Sequence, residues 1–408
     1  MIQVNGDRLW ARIHEIARFG ATPAGGCNRQ ALTDADFLAR AAFTKWAERA
    51  GCSVRIDSIG NIFVRRAGAD STLPAVLTGS HLDTQPTGGR FDGIYGVLAG
   101  LEVIEALNDA GFATRHPFEV AVWCNEEGCR FPAAMMGSAV WASRMPIEQA
   151  YRLQDSTGTS VKDALEARGL VTSDRCEQQP IRAAFEAHIE QGPILERGRH
   201  MIGVVLGVQG MRRYEVVING QEAHAGPTPM ADRKDPVRGL ADLLPALYAL
   251  TDRFGPDARL TIGIIEVVPG SPNTVPGRVR FTLDVRHADE GQYLALLQGA
   301  EAAVTASLSR SALTGSIRRV WESAPVRFDA ACVDAVRNAA QALGYSWTNI
   351  VSGAGHDSVN IARVVPTSMI FVPCKNGLSH NEAEDASKED VVAGANVLLH
   401  AMLAVDTP

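Results

Sequence analysis

The feature that most constrains this sequence is a pattern that recurs along it: a short apolar run suited to a buried strand stops abruptly at a histidine or a carboxylate. Pro74-Ala-Val-Leu-Thr78 runs into Gly79-Ser80-His81-Leu82-Asp83, and Phe118-Glu-Val-Ala-Val-Trp-Cys124 runs into Asn125-Glu126-Glu127-Gly128. Phe185-Glu-Ala-His188-Ile-Glu190 repeats the arrangement, as does the loop Gly377-Leu-Ser-His380-Asn-Glu382 that follows the strand Ser368-Met-Ile-Phe-Val372. Helical spacing separates these strands, from Gly93 to Leu107, near Ala133 to Ser143, and from Ala330 to Leu343. Such alternation predicts an α/β layer, a sheet with helices packed against it. Sheets of this kind place ligands outside the carboxyl ends of their strands.

From about Arg212 to Pro325 the pattern changes. Tyr214-Glu-Val-Val-Ile218, Leu260-Thr-Ile-Gly-Ile264, Val279-Arg-Phe-Thr-Leu-Asp-Val285 and Ser316 to Val320 read as strands, with helices from Asp235 to Leu250 and from Asp289 to Leu308. A strand–helix–strand–strand–helix–strand order describes a small two-layer α+β unit. The expectation is one domain made of residues 1–211 and 326–408, interrupted by an inserted domain of residues 212–325. At about 100–200 residues per domain, 408 residues accommodate that division.

Composition removes whole classes. A formal net charge of −7, from 39 Lys and Arg against 46 Asp and Glu, argues against a nucleic-acid surface or an anionic-membrane binder. No basic segment followed by an apolar stretch opens the chain, so no signal peptide is read. The uncharged run from Val391 to Val405 falls short of the roughly 20 residues a membrane span needs and reads as a closing amphipathic helix. Seven scattered cysteines form no Cys-x-x-Cys pair, so neither a disulfide framework nor a thiolate zinc site is favoured. The cytoplasm is the expected compartment.

The polar strand ends are where chemistry can reside. His81 with Asp83 two residues on suits a metal ligand with an orienting partner, although a hydrogen-bonded structural histidine explains the pair taken alone. Asp92, in Gly89-Arg-Phe-Asp-Gly93, lies eleven positions after His81 and opens a helix. In isolation Asp-Gly marks a turn. Placed near His81, its two oxygens could bridge two cations. Glu126 and Glu127 point to opposite sides of an extended chain, so one could ligate a metal while the other faces a water. A solvated charge pair is the blander reading. His81, His188 and His380 with Asp92 and Glu127 form a nitrogen–oxygen donor set that suits zinc, manganese, cobalt or nickel. In Val279–Val285 the odd positions are apolar, so Arg280, Thr282, Asp284 and Arg286 share the other face. An arginine at the end of that face can fork onto a carboxylate, or make an ordinary surface ion pair.

Taken together, Ser80-His-Leu-Asp-Thr84, Gly89-Arg-Phe-Asp-Gly93, Asn125-Glu-Glu-Gly128, His188-Ile-Glu-Gln-Gly192 and His224-Ala-Gly-Pro-Thr-Pro-Met230 resemble the hydantoinase/carbamoylase-type amidases of the dinuclear metal exopeptidase clan. Asn273 in Ser-Pro-Asn-Thr-Val-Pro, Arg286, Gly353-Ala-Gly-His-Asp357 and Leu378-Ser-His-Asn381 extend the resemblance over nearly the whole chain. It implies a zinc-exopeptidase-like α/β catalytic domain with helices around a mixed sheet, and a lid that also makes a homodimer. It further implies two divalent metal ions, zinc or manganese with cobalt or nickel as alternatives. These would be held by His81, Asp92, Glu127, His188 and His380, with Asp92 bridging.

Asp83 would orient His81, and Glu126 would be the general base. His224, Asn273 and Arg286 would contact substrate, some of them in the partner's site. Gln191, Gly355 and His356 would line the pocket, and His224 would also stabilise an oxyanion. The clan's peptidases commonly carry a carboxylate where His188 stands, which favours the carbamoylase branch. Pro227 stands where many relatives have a threonine. The implied activity is hydrolysis of the ureido C–N bond of an N-carbamoyl amino acid, a small substrate bearing a carboxylate. An allantoate amidohydrolase is the runner-up, for whose bulkier substrate Arg212-Arg213 could offer cationic reach, although a solvated strand edge explains that pair better. A dipeptidase or aminoacylase, and a metal-free binding protein of the same fold, come after it.

Overall fold

The structure, a computed structural model, describes residues 1–171, 175–311 and 313–407. They divide into two compact units, Met1–Gly207 with Arg327–Pro408, and Val208–Val326.

In the first unit a mixed sheet runs in the order Ser53–Ile56, Ile62–Arg66, Phe118–Trp123, Ala75–His81, Ile181–Ile189, Thr367–Val372 and Ile202–Val208, with Trp347–Ser352 paired to the last of these. The four strands from Phe118–Trp123 to Thr367–Val372 are mutually parallel. Nearly every residue in them is buried, because parallel strands carry helices on both faces and read as continuous apolar runs. Helix Ile94–Asp109 packs against Ala75–His81 and against the closing helix Lys388–Ala404, which Ser387 caps at its N-terminus. No helix among the described residues is long and apolar enough to cross a membrane.

Register decides what the parallel strands deliver. His81 lies opposite Trp123, so the segment from Asn125 to Glu127 leaves the sheet beside it. His188 lies opposite Phe371, so the chain leading to His380 leaves the sheet beside that histidine. The strand read as 74–78 runs on through Gly79 and Ser80 and ends at His81 itself.

The second unit is a sheet in the order Ile265–Val268, Arg278–His287, Gly210–Asn219, Thr314–Ser323, antiparallel throughout. Helices Pro236–Phe254 and Glu290–Arg310 pack together on one face. Val279, Phe281, Leu283 and Val285 are fully buried there, against Leu243 and Leu247 of one helix and Leu296 and Val304 of the other. The sequence reads one strand over Leu260–Ile264. The structure instead has Arg259–Thr261 and Ile265–Val268, both antiparallel to Arg278–His287. The ladder breaks where the Thr282 hydroxyl, not a backbone carbonyl, takes the N–H of Ile264 (3.2 Å). A two-stranded ribbon, Ala223–His224 with Thr274–Val275, completes the unit.

Candidate metal centre

Three imidazoles converge on one carboxylate at the carboxyl ends of the parallel strands. Asp92 Oδ1 is 3.2 Å from His188 Nε2 and 3.8 Å from His81 Nε2, while its Oδ2 is 3.2 Å from His380 Nε2. His380 Nε2 is also 3.4 Å from Glu127 Oε2. Among the described residues, two groups of potential ligand atoms contain Asp92, His81–Asp92–His188 and Asp92–Glu127–His380, and Glu186–His188–His356 makes a third; the atoms of each lie within 4.8 Å of one another. In the first two Asp92 offers a different oxygen to each side, Oδ1 toward His81 and His188 and Oδ2 toward His380.

The rings are aimed by hydrogen bonds at their other nitrogens. His81 Nδ1 is bonded to the backbone carbonyl of Asp83 (2.8 Å), and His188 Nδ1 to that of Ile189 (2.9 Å). Both therefore turn Nε2 inward. Asp83 orients His81 through this backbone oxygen, since its carboxylate stands 4.0 Å away. The carboxylate instead accepts the N–H groups of Glu126 and Glu127, both at 3.2 Å, and so fixes the peptide that carries the two glutamates. Their side chains diverge. Glu127 accepts the N–H and the side-chain amide of Gln85 (3.1 and 2.6 Å), and Glu126 Oε2 stands 3.6 Å from His81 Nε2. Space beside His81 depends on Gly93, whose backbone has φ +70° and where a Cβ would lie 2.3 Å from Nε2.

Burial dominates the electrostatics. It pushes His81 down to about 4, leaving a neutral ring. It drives Glu126 well above the carboxylate range, with repulsion from Asp357 and Glu127 adding to the effect, and it lifts Glu127 to about 8 with help from Asp92. Burial alone would raise Asp92 as well, but hydrogen bonds with His188 and His380 hold it well below its usual value. His380 is lifted to about 9 by its hydrogen bond to Asp92. His188 also reaches about 9, because Asp92 and Glu186 outweigh burial. Protons and a divalent cation would compete for the same lone pairs on these rings. Imidazoles and crowded carboxylates gathered around one shared carboxylate are a nitrogen–oxygen donor set that fits a divalent cation.

Gln191 joins this cluster: its Nε2 donates to Asp92 Oδ2 (3.0 Å) and Ser379 Oγ (3.1 Å), and its Oε1 is buried with no hydrogen-bond partner. Gly355 is half-buried, whereas His356 is packed behind the ligand cluster. Its ring stacks edge-on against His188 at 4.5 Å and its Nε2 is bonded to Ser352 Oγ at 3.0 Å. His356 thus backs His188.

His224, Asn273 and Arg286 belong to the other unit. His224 and Asn273 are neighbours on the ribbon, with the N–H of Ala225 bonded to the Asn273 carbonyl (2.9 Å). His224 Nδ1 accepts from the Gly226 N–H (3.1 Å), which leaves Nε2 of the neutral ring as a donor. Arg286 forks onto Asp284 through Nε (2.6 Å), and Arg213 approaches the same carboxylate at 3.6 Å. Arg212 is engaged with Glu322 and with Tyr214 (3.2 Å), as Arg213 is with Asp284.

Four residues around the centre carry no sequence assignment: Gln85, Glu186, Ser379 and Glu384. Glu186 was within reach of the sequence. It lies two positions before His188 on the same strand, hence on the same face, and accepts from Ser80 Oγ (2.7 Å) and Ser358 Oγ (2.6 Å).

A family model described as peptidase family M20/M25/M40 matches residues 77–404. The chain is 45% identical over 401 residues to an N-carbamoyl-L-amino-acid amidohydrolase of Rhizobium meliloti, covering 98% of this chain and 96% of that protein. It is 37% identical to an N-carbamoyl-L-amino acid amidohydrolase of Geobacillus stearothermophilus, covering 97% and 98% respectively. Among solved structures, an amidase of the hydantoinase/carbamoylase family from Burkholderia multivorans superposes with a TM-score of 0.95 at 48% identity, over 99% of this chain and 98% of that one. With the family match running through the strand ends that carry the centre and on to the closing helix, the chain belongs to peptidase family M20/M25/M40.

Proposed function

We propose that this protein is a metal-dependent amidohydrolase that cleaves the ureido C–N bond of N-carbamoyl-L-α-amino acids. The observation that carries this reading is the convergence of three Nε2 atoms on Asp92, with Glu126 beside them and a histidine, His188, on the strand next to His81. The identity to carbamoylases over nearly the full chain gives the substrate class.

In this reading His81, Asp92 and His188 would hold one divalent ion, and Asp92, Glu127 and His380 would hold another, zinc or manganese. The chemistry such a pair supplies when bound is Lewis acidity, which acidifies water and polarises a carbonyl. Glu126, whose Oε2 stands 3.6 Å from His81 Nε2, takes the proton of the attacking water. The new C–O bond forms at the carbamoyl carbon, and the Nε2–H of His224 donates to the oxyanion that develops. Glu126 returns the proton to the amino acid's nitrogen as the C–N bond breaks. The products are the free amino acid and carbamate, which decomposes to carbon dioxide and ammonia. Arg286 holds the substrate carboxylate by charge-assisted hydrogen bonds, in exchange for Asp284. Asn273 and Gln191 read polar edges of the substrate, Gln191 through its unpaired Oε1. The unit Val208–Val326 serves as a lid and as the contact of a homodimer, and the protein works in the cytoplasm.

Ammonia release from N-carbamoyl-L-α-amino acids, N-carbamoyl-β-alanine, allantoate and, by amino-acid release, dipeptides tests the reading with manganese or zinc supplied. The L-α series is expected to give the highest kcat/KM. Preference for allantoate would reassign the substrate, and turnover of dipeptides alone would remove the carbamoylase reading.

A further inference from the structure

Glu384 is a carboxylate that the chemistry above leaves unused, and it is only 1% exposed. Burying a carboxylate is costly unless its oxygens are satisfied, and these are. Oε1 accepts the backbone N–H groups of Phe91 (3.0 Å) and Asp92 (3.1 Å), and Oε2 accepts the hydroxyl of Ser379 (2.8 Å). The Ser379 oxygen is itself 3.2 Å from Asp92 Oδ2 and accepts the amide of Gln191 at 3.1 Å. One side chain thus grips two segments, Phe91–Asp92 and the turn at Ser379 that carries His380, with Ser379 and Asp92 287 positions apart. The fit is tight from the far side as well. A Cβ at Gly89 would stand 2.1 Å from Glu384 Oε1 and 2.4 Å from its Cβ, so a side chain there would push the carboxylate out.

His380 needs such a hold more than its fellow ligands. His81 and His188 are rigid parts of buried strands, 2% and 1% exposed. His380 has a half-exposed side chain and sits in a turn at φ +53°. Asp92 has an anchor of its own through its carbonyl, which accepts from Ile94 (2.8 Å) at the start of the helix. The placement of His380 relative to Asp92 rests on the turn from Ser379 to Glu384.

We propose that Glu384 is a positioning residue for one of the two cations: by tying the Phe91–Asp92 peptide to Ser379 it sets the separation of Asp92 and His380, and with it the affinity of the Asp92–Glu127–His380 triplet. This rests on the two-cation reading given above. Its signature is selective, since Glu384 touches only Asp92 of the His81–Asp92–His188 triplet, a residue that Ile94 also holds, while both histidines of that triplet stand on strands.

Chelator-treated protein titrated with cobalt(II), followed by calorimetry and by the visible absorption of the bound ion, reads both equivalents separately. Wild-type protein is expected to take up two. Glu384→Ala is expected to keep the first unchanged and to bind the second about 10–100-fold more weakly, the usual effect of removing a residue that orients ligands. Glu384→Gln retains an acceptor for the two N–H groups and a polar contact for Ser379, and is expected to restore most of that loss. Gly89→Ala, which displaces the carboxylate without altering it, is expected to reproduce the loss, and with Glu384→Gln it carries the test should Glu384→Ala not fold. Two equivalents bound by Glu384→Ala as tightly as by wild type would overturn the proposal. So would equal weakening of both equivalents with no recovery in Glu384→Gln. A wild-type protein that binds fewer than two equivalents would overturn the two-cation reading itself, and this proposal with it.

Discussion

His81 is held from two directions: a carbonyl fixes its Nδ1, and the absence of a side chain at residue 93 leaves room at its Nε2. Gly93→Ala would set a methyl group 2.3 Å from that nitrogen and force φ +70° on a residue that resists it. Cobalt(II) affinity is expected to fall about tenfold or more, measured by calorimetry. Unchanged affinity would mean that Nε2 is not a ligand atom. His81, Glu126, Glu127 and His188 were legible because each stands where an apolar run stops, a position at which a charged group needs a reason, and Asp92 and His380 because each stands in a turn or loop beside a predicted helix or strand end. Glu384 was not legible. It lies in Glu382-Ala-Glu384-Asp385, which reads as an ordinary solvated acidic stretch. Its burial depends on Phe91 and Asp92, partners that no local pattern reveals. The support of His81 by a backbone carbonyl was hidden for a related reason, since residue identity says nothing about which oxygen of Asp83 will be nearest.

Among the elements, the strand Arg278–His287 shows how much a period of two can fix. Val279, Phe281, Leu283 and Val285 face the helices, and Arg280, Thr282, Asp284 and Arg286 face away, as the alternation requires. Leu283→Ala is expected to cost about 2–5 kcal/mol, seen as a lower midpoint in denaturant. Arg280→Ala, on the opposite face among exposed ion pairs with Glu266 and Glu215, is expected to leave the midpoint nearly unchanged. Equal effects would contradict the register. Strands with one dominant pattern were legible; those whose ends depend on partners were not. Gly79 and Ser80 are weak strand formers, yet they continue the strand to His81 because the parallel strand Phe118–Trp123 pairs with them up to that histidine. The short strands Ser53–Ile56 and Ile62–Arg66 escaped notice because arginines at 55, 65 and 66 mask their alternation.

For the whole molecule, the division of labour follows from connectivity. All five proposed ligands and Glu126 belong to the unit Met1–Gly207 with Arg327–Pro408, while Arg286, His224 and Asn273 belong to Val208–Val326. Arg286→Ala is therefore expected to raise KM for carbamoyl amino acids about 10–100-fold, the worth of a charge-assisted contact, while cobalt(II) binding stays as in wild type. An unchanged KM, or a lost cation, would break that separation.

The central claim is that Glu126 moves the proton in a cation-dependent cleavage of N-carbamoyl-L-amino acids. Ammonia release and bound cobalt(II), measured on the same samples of wild type and Glu126→Gln, test it most directly. Both proteins are expected to hold the same number of cobalt ions, with turnover in the variant lower by about 10²–10⁴-fold. A variant that turns over as fast as wild type, or a fully loaded wild type that releases no ammonia, would contradict the claim.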